Sequence, residues 1–359
     1  MPPKKAKTKA KNPEPAEENN APVVVPRLAS LPAELFDEII SYFAVLPLHY
    51  YYDTQGFGTT PDPRYRERTD VLRALSQTCR ALRSVSFPRL WSRLDLCILD
   101  EEYQASWYKH AMQEIQCKAK GVISSSKELR ESIRVLTFSL SKSAVKETLP
   151  HLTKLLHAVP NLHTIQIVTC KIPGDFGKAV QGVQFPSVRT VVIPTDCHAI
   201  LKSCPNATHV RCTLGNGHTL IGSLKHCKCE VLDGMIDWVD PKVMDRLVKV
   251  APNLTRIEIR RPVNWGLGIL SQNKAPAEWA QVIPKLSKLS KLRVITLSFP
   301  GEEELPSDRV SINAARDVLK NSKVPEKKLI IRRVLAPHYT RGNDQKEDVV
   351  QSCVEEIFE

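Results

Sequence analysis

The side chains best suited to metal chemistry in this chain form a His-Cys-Lys-Cys run from His226 to Cys229. Cysteine thiolates and histidine imidazoles hold structural Zn²⁺, and such a site needs four ligands in a tetrahedral arrangement. No second Cys or His pair with zinc-finger spacing follows. We therefore expect these residues to be thiols of the core or surface, and the sequence predicts no metal site.

No pairing of a nucleophile with a base stands out among the other residues. Three of the ten histidines, His151, His157 and His163, follow at six-residue steps that do not share a helical face. Glycine-rich phosphate-binding loops are missing, as are the local motifs of zinc proteases and serine hydrolases. We expect no enzymatic activity from this chain and no cofactor.

Positive charge is the most prominent chemical property, with a formal net charge of +12. The pairs Arg260-Arg261 and Arg332-Arg333 each end an apolar, β-like run, where a sheet would present them to anions. Charge of this sign favours acidic protein surfaces, phosphorylated segments or nucleic acid as partners. The alternative is solvated charge spread over a long surface. No motif for reading DNA or RNA is present, so nucleic-acid recognition is not expected.

The elements that would position these residues repeat from about residue 130. Three Pro-Asn turns, at Pro160-Asn161, Pro205-Asn206 and Pro252-Asn253, each separate a helical apolar pattern from an alternating, β-like run. Proline cannot continue a helix, and asparagine tolerates the turn conformation that redirects the chain. We take one apolar position in each strand as equivalent: Leu136, Ile165, Val191, Val210, Leu232, Ile257, Ile295 and Ile331.

The steps between these positions run from 19 to 38 residues, which indicates an irregular repeat of one strand and one helix. Stacked units of this kind bury a shared core, with parallel strands inside and helices outside. The longest step, from Ile257 to Ile295, predicts an inserted loop. Trp265 and Trp279 in this loop either form a contact surface or pack down the loop itself. Residues 342–359 carry six acidic side chains and one lysine, and predict an acidic tail or an amphipathic capping helix.

An apolar helix is predicted well before the repeats. Its stripe is formed by Leu31, Leu35, Ile39 and Phe43, which recur every four residues, with Ile40 beside them. A helix of this length cannot bury a core of its own, so its apolar face needs a partner.

A second helix follows after a turn-rich stretch. Pro88 ends or offsets it, and Leu90-Trp91 begin another short element. The apolar positions of the second helix are spaced three, four and three residues apart: Leu72, Leu75, Cys79 and Leu82.

Together these pieces resemble an F-box. The resemblance is carried by L-P-x-E-L-x-x-x-I-I from Leu31, L-x-x-x-C-R-x-L-R from Leu75 and P-x-L-W from Pro88, and it covers about residues 31–94. That family folds as a small helical module that docks on the Skp adaptor, and through it on a cullin scaffold, in SCF-type ubiquitin ligases. The connection at about 44–68 is longer than usual in the family, and we expect an inserted surface loop there.

The resemblance implies an adaptor-docking surface on the module and a protein target held elsewhere. The repeats resemble the degenerate leucine-rich repeats that accompany F-boxes in many fungal proteins. The expected function is that of a non-catalytic substrate-recognition subunit whose target is acidic or phosphorylated. Matching positions give the adaptor-facing or supporting residues: Leu31, Pro32, Leu35, Ile39, Ile40, Leu75, Cys79, Leu82, Pro88, Leu90 and Trp91.

The expected fold class is α/β, with a helical F-box-like module followed by an irregular leucine-rich-repeat solenoid. The predicted parts are a disordered basic arm, the module, a linking helix, the solenoid and the C-terminal segment, at 1–27, 28–95, 96–129, 130–341 and 342–359. The alternative is an interaction scaffold or nucleic-acid-associated repeat protein whose F-box-like helices only cap the solenoid. In a cap, Leu31 and Trp91 are buried against the repeats.

The expected location is cytoplasmic or nuclear. No apolar run of membrane-spanning length or signal-peptide core occurs, so no membrane partner is expected and the cysteines should be reduced. Five lysines of the basic arm form either a nuclear-import signal or a solvated tail: Lys4, Lys5, Lys7, Lys9 and Lys11.

Overall fold

The computed structural model describes residues 27–48, 61–99, 106–215, 217–236, 240–261, 281–301, 304–334 and 350–358. Several predicted features lie outside these residues. They are the basic arm with its five lysines, the centre of the inserted loop, and the loop that carries Trp265 and Trp279.

The described residues form helices and strands that alternate along most of the chain. The α-helices are α1 (Ala33–Ser41), α2 (Arg64–Thr78), α3 (Arg80–Trp91), α4 (Trp107–Ile123), α5 (Lys127–Ser132), α6 (Val145–Ala158), α7 (Pro173–Ala179), α8 (His218–Ser223), α9 (Pro241–Val250) and α10 (Pro306–Lys320). The strands are β1 (Arg93–Asp95), β2 (Val135–Leu140), β3 (Thr164–Cys170), β4 (Thr190–Ile193), β5 (His209–Cys212), β6 (Val231–Ile236), β7 (Arg256–Arg260), β8 (Val294–Pro300), β9 (Lys327–Val334) and β10 (Val350–Phe358). Short 3-10 helices occupy Arg27–Ser30, Thr195–Ser203, Leu224–His226 and Ile283–Lys288.

The strands form one ten-stranded sheet in which their order is their order in the chain. Strands β1 to β9 run parallel, and β10 returns antiparallel to β9. Parallel neighbours require crossover connections, and helices or 3-10 helices supply most of those in the described residues. The protein is therefore α/β, with a mostly parallel sheet, as the sequence predicted.

One row of apolar residues crosses the sheet in register and belongs to the main core. It runs Leu94, Leu136, Ile165, Val191, Val210, Leu232, Ile257, Ile295 and Leu329. Seven of the eight positions taken as equivalent are confirmed. The eighth, Ile331, is wrong by two residues, since it pairs with Leu297. Residues two apart share a strand face, so the sequence pattern did not separate Leu329 from Ile331.

A second regularity lies just before strands β1 to β7, where one carbonyl accepts two backbone N–H groups of the next unit. The Ser92 carbonyl accepts from Arg134 and Val135 at 2.9 and 3.0 Å, and the Arg134 carbonyl accepts from His163 and Thr164 at 2.8 and 2.9 Å. The same arrangement recurs at His163, Arg189, Thr208, Glu230 and Thr255. The units are thus joined by a repeated local contact in addition to the strand ladders.

The asparagines of the Pro-Asn turns have a different role from the one predicted. The non-glycine residues with positive φ in the described chain are Ala144 and Glu326, so these asparagines do not adopt the left-handed conformation. Asn161 Nδ2 instead donates to the Glu131 carbonyl at 3.0 Å, and Asn206 Nδ2 donates to the Pro186 carbonyl at 3.1 Å. These two side chains therefore fasten their turns to the preceding unit, whereas Asn253 Oδ1 accepts from Lys291 Nζ of the following unit at 2.8 Å.

The second predicted helix is divided at Cys79. This residue is extended, with φ −155° and ψ 167°, and its Sγ accepts the Leu82 N–H at 3.4 Å as the N-cap of α3. Pro88 does not end α3, which runs on to Trp91. Proline removes one helical hydrogen bond. The helix nevertheless continues past Pro88, and Leu90 in this last turn packs in the module core.

Three further expectations from the sequence differ from the structure. The inserted connection ends earlier than residue 68, because α2 already begins at Arg64. The linking segment predicted at 96–129 contains α4, and α5 crosses its predicted end and runs to Ser132. Strand β1 at the module's end is part of the sheet. The predicted C-terminal capping helix is wrong for 350–358, which form β10. There Glu355 lies 3.8 Å from Lys328 across the strand pair, and Phe358 packs against the main core.

Candidate functional site

Helix α1 divides its apolar residues between the core of the module and its outer surface. Phe36 and Ile40 are 1% and 4% exposed, and they share a core cluster with Leu72, Leu82 and Leu90. That cluster joins α1, α2 and α3. Because residues three or four apart share a helical face, this packing determines which side of α1 faces outward.

The outer side of α1 carries a row of exposed apolar side chains. Leu35, Ile39 and Tyr42 are 52%, 40% and 81% exposed, and Pro32 before the helix is exposed as well. Their spacing of three, four and three residues places them on one face. We call Pro32, Leu35, Ile39 and Tyr42 the α1 stripe. Adjacent exposed apolar side chains are a property of interaction surfaces.

The predicted adaptor-binding residues differ in their exposure. The exposed ones are Pro32, Leu35, Ile39 and Pro88; the half-buried ones are Leu31, Leu75, Cys79 and Trp91; the buried ones are Ile40, Leu82 and Leu90. In this conformation the buried three support the module from within. Tyr42 was not predicted, although its position three residues after Ile39 would have identified it.

An ion pair between α1 and α3 holds the α1 stripe in place. Arg89 donates to both carboxylate oxygens of Asp37, with Nη2 2.9 Å from Oδ2. This hydrogen bonding lowers the pKa of the Asp37 carboxyl. The same guanidinium lies 5.2 Å from the centroid of the Phe36 ring and donates to the Val85 carbonyl at 2.8 Å. Arg89 therefore connects the outer surface of α1 to the module core.

The module continues directly into the sheet, since α3 ends at Trp91 and β1 begins at Arg93. Trp91 packs against both the module core and the main core. Arg93 Nη2 donates to the Leu46 carbonyl, and Gln166 Nε2 donates to the Pro47 carbonyl, both at 2.8 Å. The segment after α1 thus lies across the first strands, on the face opposite the helices.

A cavity of about 320 Å³ lies at this junction. Trp91, Leu94 and Val122 form part of its apolar wall, and Arg66 is among its charged lining residues. Gly121 of α4 also lines the cavity, and a Cβ atom added there would meet no heavy atom within 4 Å. Helix α4 therefore carries a glycine where the surrounding protein would accommodate a larger residue.

No family model matches this sequence, and no curated protein matches it. Among the described residues, no helix combines the length and apolarity needed to cross a membrane. Function is therefore inferred from the residues and their geometry.

A second feature lies across β5 to β9, on the sheet face opposite the helices. Glu258 of β7 is 2% exposed and receives hydrogen bonds from three neighbours. Arg211 Nη2 and the Gly234 N–H donate to its Oε2 at 3.2 and 3.0 Å, and Ser298 Oγ donates to its Oε1 at 3.0 Å. Arg332 Nη1 lies 3.8 Å from the same Oε1.

Asp233 of β6 is the second buried carboxylate of this face, at 1% exposure. Its Oδ2 lies 3.0 Å from His209 Nε2 and 3.7 Å from Arg211 Nη1, and its Oδ1 lies 3.3 Å from Arg256 Nε. Burial raises the pKa of Asp233, but hydrogen bonding to His209 and the charge of Arg256 outweigh burial, so the pKa is lowered on balance. We call His209, Arg211, Asp233, Arg256, Glu258 and Arg332 the charged cluster.

Strand alternation separates the two arginine pairs that the sequence singled out. Arg261 and Arg333 donate to Asp308 of α10 at 2.8 and 2.5 Å, and Asp308 is 1% exposed. These two arginines share the one buried carboxylate of Asp308 and connect the sheet to α10. Arg260 and Arg332 lie on the opposite face and are half-buried. One member of each pair is therefore placed where a ligand has access.

The His-Cys-Lys-Cys run lies at the end of a 3-10 helix and before β6. Cys229 Sγ donates to the Val231 carbonyl at 3.4 Å, and Cys227 Sγ donates to the Leu224 carbonyl at 3.3 Å. Burial raises the pKa of the Cys227 thiol to about 11. Within the described residues, no three His, Cys, Asp or Glu side chains converge as metal ligands.

Proposed function

We propose that this chain is the substrate-recognition subunit of an SCF-type ubiquitin ligase. In this proposal the α1 stripe docks on the Skp adaptor, and the stacked strand–helix units form a leucine-rich-repeat solenoid that presents a protein target. The resemblance of residues 31–94 to an F-box motivates the proposal.

The observation that carries the proposal is the exposure of the α1 stripe. Phe36 and Ile40 are the side chains by which α1 packs into the module core. Leu35, Ile39 and Tyr42 are exposed, so packing within the chain does not require them to be large and apolar. Burial of their exposed area by a partner would be favourable through the hydrophobic effect. An apolar surface on an adaptor has the matching chemistry.

Two features of the sheet support the solenoid part of the proposal. The repeated carbonyl contact from Ser92 to Thr255 links each unit to its neighbour, as expected when units stack in one dimension. The in-register apolar row gives the stacked units one continuous core. In the proposed mechanism this rigid body holds a target close to the ligase, and ubiquitin transfer gains from proximity. The chain itself would perform no bond chemistry.

The test is co-purification of the full chain with a Skp adaptor, in parallel with a Leu35→Ala/Ile39→Ala variant. A Val310→Ala variant is the matched control, because Val310 is 48% exposed on α10. We expect a stoichiometric complex with wild type and with the control, and its loss in the stripe variant. Absence of a complex with the wild-type chain, or equal loss in the control, would refute the docking proposal.

The second candidate function is that of an interaction scaffold or nucleic-acid-associated repeat protein, in which the module only caps the solenoid. The pairing of β1 with β2 and the packing of Trp91 against the main core favour it, because both join the module to the sheet. Leu31 and Trp91 are half-buried, between the fully buried state of a cap and the exposed state of a free docking site. Adaptor binding by the wild-type chain separates the two functions.

A further inference from the structure

The charged cluster contains more cationic than anionic groups. Arg211, Arg256 and Arg332 face the carboxylates of Asp233 and Glu258, and His209 adds a further group that becomes cationic when protonated. With the arginines and carboxylates ionised, one positive charge is not neutralised within the cluster.

The cationic groups are also the accessible part of the cluster. The side chains of Arg256, Arg332 and His209 are 33%, 29% and 30% exposed, whereas those of the two carboxylates are 2% and 3% exposed. A ligand that approaches this face therefore meets the cations first. The carboxylates beneath them act as positioning groups that orient the guanidinium groups.

Two of the arginines retain unused hydrogen-bonding capacity. Arg256 Nε is buried 3.3 Å from Asp233 Oδ1 and is out of a ligand's reach, but the side chain as a whole is 33% exposed. The 3.8 Å contact of Arg332 with Glu258 is longer than a hydrogen bond. A guanidinium carries five N–H donors in a planar fork that matches carboxylate or phosphate oxygens.

The sheet register gives the spacing of these two arginines. Arg256 is in register with Val294, and Val294 is in register with Lys328 of β9. Arg332 lies four residues beyond Lys328, about 13 Å along the strand direction, and β9 lies two strand spacings, about 10 Å, to the side of β7. The Cα atoms of the two arginines are therefore about 16 Å apart. An extended peptide advances by about 3.3 Å per residue, so groups about five residues apart span this distance.

We propose that the charged cluster binds an extended peptide segment with two oxyanion groups, carboxylates or phosphates, about five residues apart. Arg256 and Arg332 each bind one of these groups. This inference deepens the proposed function by assigning the chemistry of the target segment, and it rests on that function only for the segment's biological role.

A peptide fits this face better than a single-stranded nucleic acid. Single strands bind through aromatic platforms on which bases stack. The exposed large aromatic side chains of the described residues are Tyr42 and Tyr108, which belong to α1's end and to α4 rather than to this face.

The test measures binding of fluorescently labelled peptides to the full chain by anisotropy. Three short peptides of one sequence carry two phosphoserines, two glutamates or two serines, with the pair five residues apart. The Arg256→Gln/Arg332→Gln variant removes both proposed contacts, and Arg256→Lys/Arg332→Lys retains the charge without the fork. The matched control is Arg309→Gln/Lys320→Gln, which removes two exposed charges from α10.

We expect both anionic peptides to bind wild type and the control, and the serine peptide not to bind. The Gln variant should weaken binding about tenfold or more, and the Lys variant should weaken it less. The ratio of the two anionic affinities distinguishes a phosphate target from a carboxylate target. Circular dichroism verifies that each variant is folded. If the Gln variant is unfolded, the inference is tested by whether the Lys variant binds the anionic peptides more weakly than the control does.

Three results would overturn the inference: no anionic peptide binds, the control loses as much affinity as the arginine variants, or a single-stranded oligonucleotide binds more tightly than every peptide. The same preparation is assayed for adaptor binding. Adaptor binding without peptide binding removes this inference alone, whereas peptide binding without adaptor binding removes the proposed function alone.

Discussion

Ile39 and Ile40 are adjacent and identical in type, but the same substitution is predicted to destabilise the protein much more at Ile40 than at Ile39. Ile40 is 4% exposed within the module core, whereas Ile39 is 40% exposed on the α1 stripe. Replacement of each by alanine removes the same atoms from the same helix with the same change in helix propensity. The difference between the two variants therefore measures only the environment of the side chain.

The expected magnitudes follow from burial. Removal of a fully buried isoleucine side chain with its resulting cavity lowers the free energy of unfolding by about 2–5 kcal/mol, which applies to Ile40→Ala. Ile39→Ala should lower it by only about 1 kcal/mol, because full burial contributes about 1.5–3 kcal/mol and part of this side chain is already exposed. Docking would bury that exposed part, so Ile39→Ala should weaken adaptor binding by about 1 kcal/mol, or roughly five- to tenfold.

The assay has two parts for each variant. Urea unfolding followed by circular dichroism gives the free energy of unfolding, and calorimetry with a purified Skp adaptor gives the dissociation constant. Adding Leu35→Ala to Ile39→Ala should bring the loss of binding free energy to about 2 kcal/mol, or roughly thirtyfold, because Leu35 is 52% exposed. Equal loss of unfolding free energy in the Ile39 and Ile40 variants would refute the orientation of α1. Unchanged adaptor affinity in the double stripe variant would refute docking through this face.

Three further predictions concern the fold and its charges. Gly234→Ala should destabilise the protein by about 1–3 kcal/mol, because φ is +77° and a Cβ atom would lie 2.3 Å from a backbone oxygen. Gly121→Ala should stabilise α4 by about 0.5–1 kcal/mol, because a Cβ atom there meets no heavy atom within 4 Å. Thermal unfolding of the two variants measures both effects. Because the pKa of Asp233 is lowered in the folded state, its ionised carboxylate stabilises the fold at pH values above the unfolded-state pKa. This stabilisation is lost as the pH falls through the folded-state pKa. The free energy of unfolding in urea below about pH 4 should therefore depend less on pH in Asp233→Asn than in wild type. Burial raises the pKa of Cys204 to about 12, so iodoacetamide at pH 8 should alkylate exposed Cys117 and spare Cys204, as read by mass spectrometry.

The repeat positions were predictable because buried parallel strands leave a strong apolar signal. Each interior strand needs an apolar residue at the same depth in the core, so Leu136 and Ile257 identified their strands without knowledge of the pairing. The last parallel strand, β9, shows the limit of this apolar signal. Leu329 and Ile331 have the same parity, and only the hydrogen-bond register distinguishes them.

The C-terminal strand and the charged cluster depend on long-range contacts that sequence periodicity does not contain. Apolar residues in 350–358 fit either a helix or a strand, and pairing with β9 decides in favour of the strand. Asp233 and Glu258 come from different repeat units and meet through their shared neighbour Arg211. The sequence indicated a basic surface and two arginine pairs, but the division of each pair between two faces required the strand geometry.

The Ser92 carbonyl, one residue beyond α3, is the first in the series of two-donor contacts that joins the units of the sheet. The α1 stripe and the charged cluster are therefore attached to one hydrogen-bonded sheet, in which the number of strands between them sets their distance. Six spacings of about 4.8 Å separate β1 from β7, or about 29 Å across the sheet. In the proposed complex, insertion or deletion of one strand–helix unit between them would move a bound target by about 4.8 Å and leave both surfaces chemically unchanged. The distance between the target and the adaptor would then change without a change in the affinity for either.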